Sequence, residues 1–473
     1  MSLFRTLLLV SVVGMPSVAF AQASDADDAA RSGGLGDIVV TAQRRSESLQ
    51  KVPLAVTALD ARSLEVKGIT NLNNLSTSVA PGVVITQFAG TPSTLAFNIR
   101  GAYSSDPGIG LAEQGVAVYS DGVPLGRAVG VGVELGDIER IELLRGPQGT
   151  LFGRNAEGGA VQFVTKRPTG EFGGRIEAGV GTYGQRRVMG VLELPEFANL
   201  SVKISGLIDE HNGFTRNLSP RQGVDFYSGG GVPEAAFVQE RGNNFPNFGR
   251  KDQRGFRVAA LWRPSSDFSA YYTYDFSDLN YTVVYNSRTG GRVPSIYGFC
   301  GDPRFGAICA DPAALIGNIY YGTPAAQPRN PKFTDTPTYM PESSNHIRGH
   351  GLTLEFNASD SLTFKSITGY RKLSENGFTN LGTAQVFVQT LPTSAFAANI
   401  GGLAGFTGTL APARIRQNQF SQELQMLGDF GDLNLTAGLF YYREKVNDTR
   451  SSFFGMGYRV VDATTAIPIA MAP

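Results

Sequence analysis

The chain has 473 residues, and its 41 basic and 41 acidic side chains give a formal net charge of zero. This balance offers no electrostatic footprint for nucleic acid, and the length exceeds that of one ordinary domain. Glycine (58 residues) and phenylalanine (30 residues) are abundant, whereas charged residues make up only 17%. Such a composition favours a large β structure over a helical enzyme.

Residues 1–21 are predicted to be an export signal. A basic start at Arg5 precedes a short apolar run from Leu7 to Val13, and Ala19 and Ala21 frame a small-residue cleavage site. The apolar run is too short to cross a bilayer as a helix, which needs about 20 residues. We therefore expect an exported protein whose mature chain begins at Gln22.

A small, acidic, glycine-rich leader is predicted at 22–36, with no apolar period that could support a packed structure. The β-prone strip that follows consists of Asp37, Ile38, Val39, Val40, Thr41, Ala42 and Gln43, with Arg44 and Arg45 after it. Such a strip can add as a strand to the sheet edge of a partner protein. It can equally be the first strand of a domain, and the residues alone leave both interpretations open.

Residues 44–168 are predicted to form a compact α+β domain. The strip from Ile138 to Arg145 alternates charged and apolar residues, which is typical of a half-buried strand. Together with it, the patterns predict strands at 52–58, 83–86, 97–100, 115–119 and 161–165, and short helices at 60–67 and 70–76.

Beyond Pro168 the pattern changes to paired amphipathic strands. We predict nine strands, at 172–182, 185–194, 199–209, 254–263, 267–277, 347–356, 362–371, 416–427 and 432–443. Apart from a tight first hairpin at Tyr183 and Gly184, short turns (195–198, 264–266, 357–361, 428–431) alternate with long polar segments (210–253, 278–346, 372–415). Short turns at one end and long loops at the other are typical of an outer-membrane β-barrel. A soluble β-sandwich rarely tolerates several loops beyond about 15 residues.

The cysteines and histidines offer few candidates for metal or catalytic chemistry. Cys300 and Cys309 lie in a predicted external loop of an exported protein, which favours one disulfide, with a metal pair as the alternative. His346 and His350 have the spacing of a metal pair on a helix, but a strand is predicted there. No Ser/His/Asp set can be assembled, so we expect neither a catalytic site nor a metal site.

Several motifs resemble the TonB-dependent outer-membrane receptor family. The strip 37–43 looks like a TonB box, 98–101 and 118–123 resemble plug motifs, 137–155 closely matches the longest plug signature, 158–168 resembles the plug exit, and 416–443 is similar to mid-barrel strands. The resemblance implies an α+β plug inside an antiparallel transmembrane β-barrel in the outer membrane of a Gram-negative bacterium. It also implies that the TonB protein pairs with the box as an added strand and displaces the plug.

The resemblance also assigns site residues within the plug motifs. These are Arg100, Gly101, Asp121, Gly122, Arg140, Glu142, Arg145, Gly146, Gly149, Gly153 and Arg154. We expect Arg140, Glu142 and Arg145 to form plug–barrel ion pairs, because unpaired charge inside a barrel is costly; the alternative is that they are surface charges of a soluble domain. We expect Gly146, Gly149 and Gly153 to permit tight backbone turns.

The family's barrels have about 22 strands, so a chain with nine is expected to be a truncated product or a fragment, inactive alone in transport. The family's commonest cargo is a ferric siderophore, which we favour as the ligand. Vitamin B12, haem, aromatic compounds and oligosaccharides remain open, as do a signalling receptor and a soluble exported enzyme or adhesin. No resident cofactor is expected.

Overall fold

The computed structural model describes residues 38–45, 47–67, 69, 80–87, 92–103, 112–127, 137–217, 247–284, 333–334, 342–380, 403–406, 410–450, 457–462 and 465–469. The chain divides into two compact units, Met1–Ile38 and Val39–Pro473, and all elements below belong to the second. The predicted signal peptide, the leader, Asp37, the helix at 70–76, and Cys300 and Cys309 lie outside the described residues.

The first part of this unit consists of short elements. In chain order they are β1 (Val39–Val40), β2 (Glu47–Ser48), β3 (Val56–Asp60), α1 (Ala61–Val66), β4 (Val83–Gln87), β5 (Leu95–Ile99), β6 (Val116–Ser120), β7 (Val123–Pro124), β8 (Ile138–Arg145), α2 (Gly149–Phe152) and β9 (Gly159–Thr165). The strand predicted at 52–58 begins only at Val56, because Pro53 has no N–H to donate to a ladder. The prediction for 138–145 is confirmed to the residue.

A mixed five-stranded sheet organises this part, in the order β3-β8-β9-β6-β7. β6 and β9 run parallel, and the other neighbours are antiparallel. One face carries the apolar core, in which Ile141 and Phe163 are fully buried against the β4–β5 hairpin and α1. The helix α1 begins where the Asp60 carboxylate accepts a hydrogen bond from the Ser63 N–H at 2.8 Å, a standard N-cap.

The second part consists mainly of long strands. They are β10 (Gly173–Val180), β11 (Arg186–Glu193), β12 (Leu200–His211), β13 (Arg216–Asn217), β14 (Lys251–Trp262), β15 (Phe268–Tyr281), β16 (Phe333–Thr334), β17 (Ser343–Ser359), β18 (Leu362–Asn380), β19 (Leu403–Phe406), β20 (Leu410–Asp429), β21 (Asn434–Arg450), β22 (Gly457–Asp462) and β23 (Thr465–Ile469). A short 3-10 turn at Thr182–Gly184 joins β10 to β11.

Nine of these strands form one antiparallel sheet in the order β10-β11-β12-β14-β15-β17-β18-β20-β21. The nine strands predicted from sequence therefore appear within the described residues, in the predicted order. Most extend further than predicted: β20 spans 20 residues and β18 spans 19. The predicted long segments 210–253, 278–346 and 372–415 accordingly begin or end inside strands.

The nine-stranded sheet has a polar buried face and an apolar exposed face. The face toward the mixed sheet, here called the inner face, buries Lys203, Arg257 and Gln419. The outer face exposes large apolar side chains such as Phe356, Leu424 and Leu439. This distribution is the reverse of that in a water-soluble sandwich, whose apolar face is the buried one. Within the described ranges, no helix has both the length and the hydropathy needed to cross a membrane.

Candidate functional site

The strip after the predicted leader is folded onto the mixed sheet. Residues 39–45, here called the box segment, begin as β1, which pairs antiparallel with β2 through Val39 with Ser48 and Val40 with Glu47. Val40 and Ala42 are fully buried. The segment covers the face of the mixed sheet opposite the apolar core. A strip predicted to be either a domain strand or a docking strand thus forms a strand that is docked against its own domain.

A buried carboxylate on β8 holds the centre of the box segment. Glu142 is fully buried and accepts hydrogen bonds from the Thr41 backbone N–H and the Thr41 hydroxyl, both at 3.0 Å. Gln162, beside Glu142 on β9, donates to the Thr41 hydroxyl at 2.9 Å. Arg140 Nε completes the environment of Glu142 at 2.8 Å. Releasing the box segment therefore removes two hydrogen-bond donors from a buried acid.

Arg44 ties the end of the box segment to both sheets. Its guanidinium lies over the Tyr119 and Phe152 rings, 5.0 and 4.5 Å from their centroids, and its Nε donates to the Leu151 carbonyl at 3.0 Å. It also forms a 3.2 Å ion pair with Glu423 on β20, with both side chains about one-tenth exposed. Burial raises the pKa of the Tyr119 hydroxyl, and the nearby Arg44 charge opposes this rise. Arg44 is therefore the residue through which a pull on the box segment reaches both sheets.

Arg45 anchors the same segment to the ends of β20 and β21. It donates to Asn434 Oδ1 at 2.6 Å, to the Gly428 carbonyl at 2.9 Å and to Thr436 Oγ1 at 3.1 Å. These acceptors lie at the tight turn between the two strands. Since backbone carbonyls supply part of this set, the contact depends on the turn's geometry more than on particular side chains.

A buried charge network joins the β6–β7 turn to the inner face of the nine-stranded sheet. Asp121 accepts from the Thr165 N–H at 2.9 Å and from the Thr165 hydroxyl at 2.8 Å, and it pairs with Arg257 on β14. Arg257 also pairs with Asp275 on β15 at 2.9 Å. The Arg257 side chain is only 5% exposed, so breaking one partner leaves a buried charge without full compensation.

A second group of contacts lies beyond the β7 strand. Arg127 pairs with Glu444 on β21, and Gln419 on β20 accepts from the Gly126 N–H at 3.1 Å and donates to the Pro124 carbonyl at 2.6 Å. Arg154 lies over the Tyr442 ring at 5.1 Å and pairs with Glu113. The hydrogen bond that Arg154 donates to the Glu113 carboxylate raises the pKa of Arg154. These contacts fix the turn after β7 to the last two strands of the nine-stranded sheet.

The expected plug–barrel pairing of Arg140, Glu142 and Arg145 is not what the structure contains. Arg140 pairs with Glu139 and Glu142 on its own strand, and Arg145 Nη1 donates to the Pro81 carbonyl at 3.2 Å. The physical reason is the position of β8, an interior strand whose side chains meet neighbours of the same domain. The residues that reach the nine-stranded sheet lie instead in turns and in the box segment.

The motif glycines differ in their requirements. Gly146 has φ +101°, which strains any residue that carries a Cβ; the one close atom, Arg100 Nη1 at 2.9 Å from an added Cβ, is the end of a flexible side chain and can move aside. Gly101, Gly122 and Gly153 also have positive φ, at +86°, +83° and +70°. Gly149 does not: it begins α2 in ordinary helical geometry, and nothing lies within 4 Å of an added Cβ. The expectation of a tight turn at Gly149 is therefore wrong.

His346 and His350 lie on the outer face, away from the box segment. His346 Nδ1 pairs with Asp278 at 2.9 Å, and His350 Nδ1 lies 2.8 Å from the Tyr272 hydroxyl. Among the described residues, no group of three His, Cys, Asp or Glu side chains could hold a metal ion.

Sequence reasoning missed the residues that connect the two sheets. Arg127, Arg257, Glu423 and Glu444 carry ordinary charges on strands or turns, and no local pattern separates them from solvated ones. One signal was available in the strand pattern. The charged residues on the nine-stranded sheet lie on the same strand face as the buried polar residues beside them, such as Gln419 and Gln417.

Comparison with known proteins gives consistent matches. Residues 48–160 match the family described as the TonB-dependent receptor plug domain. The chain is 34% identical to the pesticin receptor of Yersinia pestis over 169 residues, which is 36% of this chain and 23% of that protein. It is 27% identical to the vitamin B12 transporter BtuB of Vibrio vulnificus, over 40% of this chain and 30% of that protein. The chain thus spans about a quarter of the length of the curated relatives it matches.

Solved structures share the fold. The ferric preacinetobactin receptor BauA of Acinetobacter baumannii superposes with a TM-score of 0.56 at 14% identity, covering 92% of this chain and 52% of that one. The siderophore receptor PiuA from the same species gives 0.53 at 16% identity, covering 89% and 48%. At these identities the likeness concerns the fold alone, and it includes both the mixed sheet and the nine-stranded sheet.

Proposed function

Since this chain belongs to the TonB-dependent receptor family, we propose that it takes part in TonB-energised uptake of a ferric siderophore across the outer membrane of a Gram-negative bacterium. The mixed sheet then corresponds to the plug and the nine-stranded sheet to barrel wall. The apolar outer face, with Phe356 48% and Leu439 74% exposed, suits contact with lipid. The buried polar inner face suits a lumen occupied by the plug.

The observation that carries the proposal is the docked box segment. A strand that adds to a partner's sheet needs a free backbone edge, and here Val40 is buried and paired with β2. The box segment therefore undocks before TonB binds it. A pull on it next reaches Arg44 and Arg45, whose contacts with Glu423 and with the turn at Gly428 join the plug to the wall.

This arrangement passes force into the plug at a defined point. Arg44 contacts Tyr119 on β6 and Phe152 of α2, so loss of the Glu423 pair transfers load to the centre of the mixed sheet. The Asp121–Arg257–Asp275 network and the Arg127–Glu444 pair hold the plug elsewhere. Energy input is thus needed only for partial displacement of the plug, starting at the box side, which suits a transporter.

The ligand assignment is supported by the relatives. One curated relative is a ferric-pyoverdine receptor, 28% identical over 32% of this chain, and the superposed structures are of siderophore receptors. The match with BtuB favours vitamin B12 as the second candidate. The external segments that would select between them lie outside the described residues.

Uptake of radioactive iron tests the function. Cells expressing the whole gene that encodes this chain receive iron-55 bound to catecholate, hydroxamate or phenolate siderophores, and cobalt-57 cyanocobalamin in a parallel arm. We expect accumulation of one ferric siderophore that requires the proton gradient and is abolished by Val39→Pro, because proline removes a strand hydrogen bond. Val39→Thr is the matched control and keeps uptake. Cyanocobalamin uptake alone would favour the second candidate, and uptake unaffected by Val39→Pro would reject TonB coupling.

A further inference from the structure

The outer face of the nine-stranded sheet carries, above its apolar band, a row of three basic residues and one asparagine. Arg348, Lys372, Asn418 and Lys445 are successive register partners on β17, β18, β20 and β21, and all four are exposed. At about 4.8 Å between strands, the row spans roughly 14 Å. We call these four residues the outward basic row.

The row lies at the boundary between apolar and polar residues. Two positions nearer the box end, β17, β18 and β20 present His350, Tyr370 and Phe420 on the outer face; in the same register β15 adds Tyr274 and β21 adds Arg443. Aromatic side chains of this kind form the girdle at a membrane–water interface. The row therefore lies just outside that girdle, at the level of lipid head groups.

The row lies on the far side of the aromatic residues from the strand ends that hold the box segment. Arg45 contacts Gly428 on β20, whereas the row crosses β20 at Asn418, roughly 33 Å away at about 3.3 Å per residue. Since the box segment faces the periplasm in the function proposed above, the row faces the outer leaflet. The position of the row at the outer leaflet therefore rests on the proposed function.

The positive charges of the row lack acidic partners. Arg348 and Lys372 are direct cross-strand partners, and like charges in that arrangement destabilise a sheet. Each head rests instead on an aromatic ring: Arg348 5.9 Å from the Phe276 centroid and Lys372 Nζ 5.5 Å from that of Tyr370. Among the described residues, no carboxylate lies within ion-pair distance of Arg348, Lys372 or Lys445.

On the inner face, by contrast, several basic side chains form ion pairs with carboxylates. Lys203, Lys251 and Arg257 each have a carboxylate within 4.0 Å. Even the exposed Arg254, at a similar level on the outer face, pairs with Asp252 at 3.3 Å. The outward basic row is thus a group of cations without acidic partners among the described residues, at a place where the neighbouring medium contains anionic head groups.

We propose that the outward basic row binds the phosphate groups of anionic lipids in the outer leaflet. Arg348 supplies a planar fork that can hold two phosphate oxygens, and Lys372 and Lys445 supply point charges. Asn418 between them offers an amide donor. The girdle beneath packs against acyl chains, so the site recognises a lipid phosphate and not a soluble anion.

Lipid binding to the full chain in neutral detergent micelles tests the proposal. Native mass spectrometry counts bound lipid as micelles are doped with phosphatidic acid or with phosphatidylcholine. We expect preference for phosphatidic acid, and Arg348→Gln with Lys372→Gln lowers its apparent affinity about thirtyfold, at roughly fivefold per surface cation. Arg254→Gln is the matched control and changes it less than twofold. Lys372→Arg keeps the charge and keeps binding, and circular dichroism checks that each variant is folded.

Several results would overturn the inference. Equal retention of the two lipids by the parent chain, or unchanged affinity in the double variant, removes the site. An equal loss of affinity in Arg254→Gln would show that binding depends on the overall charge and not on the row. Displacement by inorganic phosphate at the same concentration assigns the site to free phosphate rather than lipid. These outcomes leave the iron-55 uptake test untouched, so failure here and failure of the proposed function are distinguishable.

Discussion

Neutralising Glu142 should release the box segment from the plug. In Glu142→Gln, the Thr41 N–H and hydroxyl lose an acidic acceptor that lies 3.0 Å from each. The new amide group also points a donor toward Arg140, whose Nε is 2.8 Å from the original carboxylate. The loss of the Thr41 contacts acts on the docked state only, because the undocked segment is hydrated in either variant, whereas the Arg140 contact lies within β8 in both states.

The magnitude follows from the two lost charge-assisted bonds. A hydrogen bond to a charged group contributes about 1.5–3 kcal/mol and a neutral one about 0.5–1.5 kcal/mol. A loss of about 1 kcal/mol for each of two bonds shifts the docking equilibrium by roughly 30-fold, at a factor of ten per 1.4 kcal/mol.

Cysteine labelling measures this shift. Val40 is fully buried when docked, so a maleimide reacts with Val40→Cys only in the undocked state, after Cys300 and Cys309 are replaced by serine. We expect Glu142→Gln to raise the labelling rate roughly 30-fold. Glu139→Gln is the matched control, since Glu139 pairs with Arg140 but has no bond to the box segment. A rate within twofold of the parent, or equal acceleration by the control, would refute the latch assigned to Glu142.

Three further predictions concern the plug and its seat. Arg257→Gln should lower the free energy of unfolding by about 3 kcal/mol, because it removes the cation that pairs with Asp121 and Asp275. Denaturant titration measures this loss. The control Arg263→Gln, at an exposed position, should change the free energy of unfolding by less than about 0.5 kcal/mol. Gly146→Ala should destabilise the plug more than Gly149→Ala, because only Gly146 has a positive φ, at +101°, and nothing lies within 4 Å of a Cβ added at Gly149; parallel thermal melts that give equal losses would contradict this. The hydrogen bonds from Ser63 hold the pKa of Asp60 below its ordinary value. The Asp60 cap therefore stabilises α1 fully above the unfolded-state pKa of about 3.9, and this stabilisation is lost as the pH falls through the lower folded-state pKa. Amide exchange of residues 61–66 should show this pH dependence in the parent and not in Asp60→Asn.

The strand pattern could be read from the sequence where one face meets lipid and the other meets polar groups. Such alternation predicted all nine strands of the large sheet and the full span of β8. It failed at the outer strand ends, where the outward positions become polar at Arg348 and Lys372 while the strands continue. Backbone pairing sustains those ends, and pairing leaves no periodic trace when both faces are polar.

The contacts of the site could not be predicted in the same way. Arg44 and Glu423, or Arg127 and Glu444, are distant in sequence and meet only because the plug seats against the inner face. Arg371 and Lys372 are chemically similar neighbours, yet one is buried toward the plug and the other is exposed on the outer face. A single sequence shows that a residue is charged but not which face of the sheet carries its side chain. The ion pairs between plug and barrel were therefore assigned to residues of β8, whereas residues in turns and in the box segment form them.

The most direct test of the account is to prevent the box segment from undocking. Val40 and Glu47 are antiparallel register partners, and partner Cα atoms about 4.5–5.5 Å apart are within reach of a disulfide. In a background with serine at Cys300 and Cys309, Val40→Cys with Glu47→Cys should abolish iron-55 siderophore uptake when oxidised and restore it when reduced, while each single variant transports in both conditions. Uptake at the parent rate by the oxidised double variant would contradict the claim that transport begins with release of the docked box segment.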